Sequence, residues 1–301
     1  MMSKLNKVMM LGTVFMATAG TAQADEALFG YLRGAETLPK GANEVVQHLT
    51  RRWDKGMGEY TAYDSKTELE HGFTDRFTGA AYLLGQAVKS QGLQIDGYIP
   101  ADINTGMQLS GVELSAKYNF LSPAKDDFGL AAYVSGAYKR LDRTSGQKKD
   151  AYQVEAWLLA QKNFLDDQLV WVGNVGLEST YAVRLPIAGA NLTEEQWPTT
   201  PEMEIGILAG TGLSYRVAPN WFVGAEMMYD SEYETQVGRE RWSVQAGPNV
   251  HYGAKDWWFT ATWLPQLAGG GFETYPGQTD TSLHLIEKTK QEFRVKVGFN
   301  F

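Results

Sequence analysis

Four histidines, His48, His71, His251 and His284, are the only imidazoles in this 301-residue chain, and it contains no cysteine. No two of them have His-x-x-x-His or comparable spacing, and without thiolates the common structural zinc sites have no ligand set. Acyl-transfer chemistry needs a serine beside a histidine that a carboxylate or amide orients. Ser282 close to His284, and Ser243 ahead of His251, are the available pairs, and neither spacing is specific. There is no Gly-x-Ser-x-Gly elbow and no phosphate-binding loop. The one glycine cluster, Gly210 to Ser214, sits on a strand pattern, where glycine serves to make room for a neighbour. No catalytic, cofactor-binding or metal-binding residue is assigned from these features, and no cofactor is expected.

The residues with chemical content are charges, and they recur every second position. From 202 to 216, Met203, Ile205, Ile207, Leu213 and Tyr215 alternate with Glu202, Glu204 and Arg216. From 221 to 234, Trp221, Val223, Met227 and Tyr229 oppose Glu226, Asp230 and Glu232. From 239 to 252, Trp242, Val244 and Val250 oppose Arg239 and Arg241, and the last strand sets Phe293, Val295, Val297, Phe299 and Phe301 against Arg294 and Lys296. Earlier runs carry Glu113, Lys117, Glu155 and Glu178 on the same polar parity. A period of two is that of a strand with unlike faces.

One face being apolar and bounded by Trp, Tyr and Phe is the mark of a strand that meets hydrocarbon. A Lys or Arg facing the middle of a bilayer costs about 2–4 kcal/mol, so the charged parity is expected to line an interior. The residues placed there are Glu113, Lys117, Glu155, Glu178, Glu202, Glu204, Arg216, Glu226, Asp230, Glu232, Arg239, Arg241, Arg294 and Lys296. The run from 202 to 234 is acidic, whereas 239–241 and the last strand are basic, which gives walls of opposite sign. Such an interior is either a filled network of ion pairs or a water-filled path whose charges select small polar solutes.

The elements that position these charges number about twelve: 43–53, 59–70, 77–89, 105–120, 128–140, 150–164, 169–183, 202–216, 221–234, 239–252, 256–265 and 285–301. An even number suits an up-and-down barrel. Short connections (71–76, 121–127, 165–168, 217–220 and 253–256) alternate mostly with longer ones, and in such barrels the short turns face the periplasm. The fold expected is all-β, a single antiparallel transmembrane β-barrel over residues 43–301. Of the long loops, 184–201 and the Gly269 to Gly271 region are candidates to fold inward.

Residues 1–24 have Lys4 and Lys7, an apolar stretch from Val8 to about Ala19, and Ala22-Gln23-Ala24, the pattern of a secretory signal peptide removed after Ala24. Residues 25–42 then form a leader that plugs the lumen, lies at the periplasmic rim or is poorly ordered. Removing Lys4 and Lys7 from 27 basic residues leaves 25 against 35 acidic ones, a formal charge of −10. That balance excludes nucleic acid as an electrostatic partner.

An alternating last strand closing on Phe301 resembles the terminal signal of outer-membrane β-barrel proteins. The resemblance implies a bacterial outer-membrane location, lipid around the wall and recognition by the barrel-assembly machinery. The stretch Glu36 to Leu84, through Leu38-Pro39-Lys40-Gly41 and Gly72-Phe73-Thr74-Asp75-Arg76, resembles an uncharacterised family of outer-membrane proteins of this size and, more distantly, barrels of aromatic-degradation pathways. Both imply a porin-like channel or binding protein for small solutes. A lipid-modifying hydrolase and a structural or surface-binding barrel are the alternatives.

Overall fold

The computed structural model of the protein describes residues 27–95, 102–194, 196–234 and 238–301; the signal-peptide expectation for 1–24 lies outside them. The described residues contain no α-helix. In chain order the strands are β1 (Asn43–Trp53), β2 (Met57–Thr74), β3 (Phe77–Gln94), β4 (Ile103–Asn104), β5 (Gln108–Leu121), β6 (Gly129–Leu141) and β7 (Lys148–Phe164), followed by β8 (Leu169–Arg184), β9 (Glu202–Ala218), β10 (Trp221–Glu234), β11 (Gly238–Gly253), β12 (Trp257–Trp263), β13 (Gln266–Gly271) and β14 (Gln291–Asn300). The two-residue β4 only brackets the end of β3. β12 and β13 pair with successive parts of β11 and together form one stave, so the wall has twelve.

Each stave is antiparallel to its sequence neighbours, and β1 pairs with β14 from Glu44↔Asn300 to Trp53↔Gln291, which closes the cylinder. At the seam the Asn43 and Phe301 backbones exchange hydrogen bonds, N–H of Phe301 to Asn43 O at 3.0 Å and N–H of Asn43 to Phe301 O at 3.3 Å. The chain end is therefore a wall position with its backbone groups paired, as a strand in lipid requires.

The stave made by β12 and β13 breaks at Leu264-Pro265, because proline has no N–H to give the ladder. Opposite the break, a Cβ on Gly247 would lie 1.9 Å from Trp263 O, so only glycine fits there. Residues 285–290, expected at the start of the last strand, instead fold inward. Leu283, Leu285 and Ile286 bury against Tyr275 at the long-loop end. Of the two expected inward regions, Gly269 to Gly271 belongs to wall strand β13, while of 184–201 Arg184 ends β8 and, among the described residues that follow it, Trp197 alone is buried, its indole N–H donating to Leu185 O at 2.9 Å.

The outer face carries Leu69, Leu114, Val154, Val175, Leu177 and many similar side chains more than half exposed. Soluble proteins do not expose apolar area on this scale. The core lies inside the cylinder, on the opposite parity.

Candidate functional site

The interior is built from the inside-facing residues of the strands and from the chain that precedes them. Residues 27–42 do not leave the barrel. They run around its inner wall near the short-turn end, held by side chains from successive staves. Glu226 on β10 accepts N–H bonds from Gly30 (2.8 Å), Tyr31 (2.8 Å) and Leu32 (3.1 Å), and a hydroxyl bond from Thr262 (2.7 Å). Asn174 on β8 bonds both the N–H and the carbonyl of Arg33, at 2.8 Å each. Gln161 on β7 takes the Ala35 N–H at 2.8 Å, and Thr78 on β3 takes that of Leu38 at 3.0 Å. From β14, Arg294 donates to Gly30 O at 3.0 Å and Lys296 to Phe29 O at 3.4 Å. The segment's polar backbone is thus satisfied by wall side chains rather than by a β-ladder.

Its apolar residues have matching seats. Phe29 and Leu32 are buried against Val170 and Val172, and Ala35 against Tyr133, Trp157 and Leu159. Burying side chains the size of Phe29 and Leu32 stabilises docking by about 1.5–3 kcal/mol each. Gly210 and Gly212 are what let them in: a Cβ on Gly212 would lie 2.7 Å from both Leu32 and Phe29, and one on Gly210 2.4 Å from Leu32. Burial pushes the Glu36 carboxyl up to about 7, against the opposing pull of Lys117.

Above this plug, toward the long loops, two chambers share Lys139, Leu141 and Arg143 as their border. The first has a volume of about 280 Å³ and is roofed on the plug side by Gly30 to Arg33. Its carboxylates are Asp64, Glu68 and Glu113; its basic groups are Arg33, Lys66, Lys139, Arg143, Arg294 and Lys296, so it is net positive. The second, of about 220 Å³, sets nine carboxylates against six basic side chains and is net negative. The 142–147 turn between β6 and β7 folds inward at the border, where the Arg143 carbonyl accepts bonds from Arg52 (3.1 Å) and Gln86 (2.9 Å).

The expected interior residues fall into distinct places. Glu113, Arg294 and Lys296 line the first chamber; Glu178, Glu202, Glu204, Asp230, Glu232 and Arg241 line the second. In the second chamber Arg241 pairs with Glu232, and with Glu240 at 3.1 Å, while Asp230 meets Lys288 at 2.7 Å and Glu202 pairs with Arg184. Burial alone would raise Glu287 in the adjoining loop, but Arg241 and His284 bring it down to about 2, so it stays charged. Glu155 faces inward and takes the Trp157 indole N–H at 2.8 Å; Lys117 is buried below, beside the plug; Glu226 clasps the plug.

Two of the expected residues are exposed rather than inside the barrel. Arg216 is exposed at the short-turn rim, its guanidinium 3.5 Å from Asp166 O. Arg239 is displaced by a register shift between Glu232 and Tyr233: Glu232 opposes Arg241 and Tyr233 opposes Arg239, leaving Glu240 unmatched. Glu240 turns to the lumen, and Arg239 is exposed with its guanidinium 5.9 Å from the Trp242 ring.

Lys66 and Asp64 share the parity of Glu68 and were legible by extending that alternation along β2, whereas Asp142 and Arg143 sit in a turn that carries no periodic signal. Neither serine–histidine pair forms. His284 bonds Glu287 and Ser282 bonds Asp280, while His251 bonds Thr260 at 2.8 Å and the Ser243 hydroxyl has no hydrogen-bond partner among the described residues.

A family model described as a family of unknown function (DUF6662) matches residues 21–301. The crystal structure of the COG4313 outer membrane channel from Pseudomonas putida F1 superposes with a TM-score of 0.55 at 12% identity, covering 89% of this chain and 98% of that one. The beta domain of the Bordetella autotransporter Brka gives a TM-score of 0.51 at 12% identity, covering 87% of this chain and 100% of that one. At these identities the likeness is one of fold. No curated protein matches the chain in sequence.

Proposed function

The chain belongs to this family of unknown function, and from its geometry we propose that it is an outer-membrane channel for small polar solutes, closed in this structure by its own N-terminal segment. One observation carries the proposal. The charged parity encloses two adjoining chambers of opposite sign, and what blocks the short-turn end is a segment held by side-chain contacts that undock without breaking any strand pairing. A wall filled for stability alone has no use for such chambers, since unpaired interior volume costs dispersion contacts.

The proposal includes export by the signal peptide 1–24 with cleavage after Ala24, lipid around the apolar exterior, and insertion by the barrel-assembly machinery through the strand ending at Phe301. The fold likeness to an outer-membrane channel supports this assignment over a hydrolase, and no catalytic role is assigned to any residue. Planar-bilayer recording provides the test. Full-length mature protein is expected to show rare, brief openings and a variant lacking residues 27–38 a steady ohmic current. A deletion variant that folds as a barrel yet stays electrically silent overturns the channel.

A further inference from the structure

The first chamber has more positive charge than its own carboxylates can answer. Asp64 is held by Arg52, which lies outside the chamber, through bonds of 2.6 and 3.0 Å; Glu68 takes His48 at 2.9 Å; Glu113 takes Lys66 at 3.0 and 3.1 Å. Among the described residues Arg294 hydrogen-bonds neutral groups only, and the Asp64 carboxylate acts on it through space. Its Nε donates to Thr50 Oγ1 at 2.8 Å, its Nη1 to Gly30 O at 3.0 Å, and its plane lies 3.8 Å from the Tyr31 ring centre. Among the described residues Lys139 donates to the Gln153 amide oxygen and hydrogen-bonds no carboxylate, Glu178 acting on it through space. Arg294 and Lys139 line the same cavity, whose remaining wall includes Leu84, Leu141 and Tyr82.

We propose that this chamber is a binding site for a small organic monocarboxylate, its carboxylate received by Arg294 and Lys139 and its apolar body resting on Leu84 and Leu141. A guanidinium with unused N–H donors in a confined space favours a planar, bidentate acceptor. The leucines favour an organic anion over a small hydrated inorganic one, which would leave them dry and uncovered. The acidic second chamber beyond Lys139 repels an anion, so the ligand is retained in the first. Tyr31 and Gly30 come from the plug, so the occupied chamber includes the plug in its wall.

The site deepens the channel reading but is tested apart from it. Isothermal titration of the full mature chain in detergent at low salt uses butyrate and its neutral isostere butyramide as probes. Saturable butyrate binding with no butyramide binding is expected, with Arg294→Gln and Lys139→Gln each weakening butyrate about tenfold or more. Arg216→Gln, at the exposed rim, is expected to leave it unchanged. Equal binding of butyramide overturns the site, as does unaltered butyrate affinity in both chamber variants while their circular dichroism remains that of the folded barrel. A protein silent in bilayers after plug deletion that still binds butyrate overturns the channel and leaves the site standing. A conducting deletion variant whose full-length parent ignores butyrate does the reverse.

Discussion

Glu226→Gln isolates the contact that holds the plug. The substitution keeps volume and burial but turns one acceptor oxygen of the clasp into an NH2 group. Oε1 receives the Gly30 N–H and the Thr262 hydroxyl, and Oε2 receives the Tyr31 and Leu32 N–H groups. The least costly placement puts the amide nitrogen at Oε1, where the Thr262 hydroxyl rotates to accept. Only the Gly30 N–H then faces a donor, for a loss of about 1.5–3 kcal/mol. The Tyr31 and Leu32 bonds survive but lose their ionic character, about 1 kcal/mol each. Docking is thus weakened by about 3.5–5 kcal/mol, roughly several-hundred- to several-thousand-fold. Hydrogen exchange read by mass spectrometry on peptides spanning 27–38 in detergent micelles measures it, because these amides exchange when the segment undocks. Protection of the plug is expected to fall by that factor while β7 and β8 amides stay protected. Unchanged plug protection refutes the reasoning. So does increased protection, which would mean that desolvating the carboxylate costs more than its four bonds return.

Further outcomes follow from the same contacts. Gly212→Val places branched carbon where Leu32 and Phe29 sit, so it is expected to expel the plug and raise bilayer current, and Leu32→Ala together with Phe29→Ala in the same chain, which clears both contacts, to bring the current back down; failure of these changes to rescue the first separates wall damage from plug exclusion. Glu36 titrates near 7 when docked against an ordinary 4.5, so the docked state holds the proton more tightly. Docking is therefore strongest below about pH 4.5 and weakens as pH rises to about 7, and bilayer current is expected to climb across that window in the wild type and stay flat in Glu36→Gln. Removing Phe301 takes away the residue whose backbone closes the seam with Asn43, and quantitative immunoblotting of outer-membrane fractions is expected to show a several-fold lower yield of assembled barrel.

The wall was legible in the sequence because lipid imposes one rule on every strand: apolar and charged residues must alternate, and a slip of one position reverses both faces. Glu202, Glu204, Asp230 and Glu232 were placed by that rule alone. Arg239 escaped it because a bulge inserts one residue and swaps its place with Glu240, a local event with no signature in composition. The inward loop at 283–290 escaped it for another reason: Leu283, Leu285 and Lys288 continue the last strand's alternation on paper and Ile286 breaks it, and the apolar residues bury against Tyr275 instead of joining the wall. The plug has no period at all. Gly30 to Ala35 is recognisable only from its receptors, the glycine gaps at 210 and 212 and the buried Glu226, Asn174 and Gln161, which are poor choices for a wall that had nothing to hold. Each is expensive to bury unless a backbone comes to meet it. Buried polar residues whose wall partners, such as Thr262 for Glu226 and Asn163 for Gln161, leave acceptor oxygens over are thus themselves a sequence trace of a segment folded inside, and the same physics that hides the plug from periodicity makes its seat visible once the faces are known.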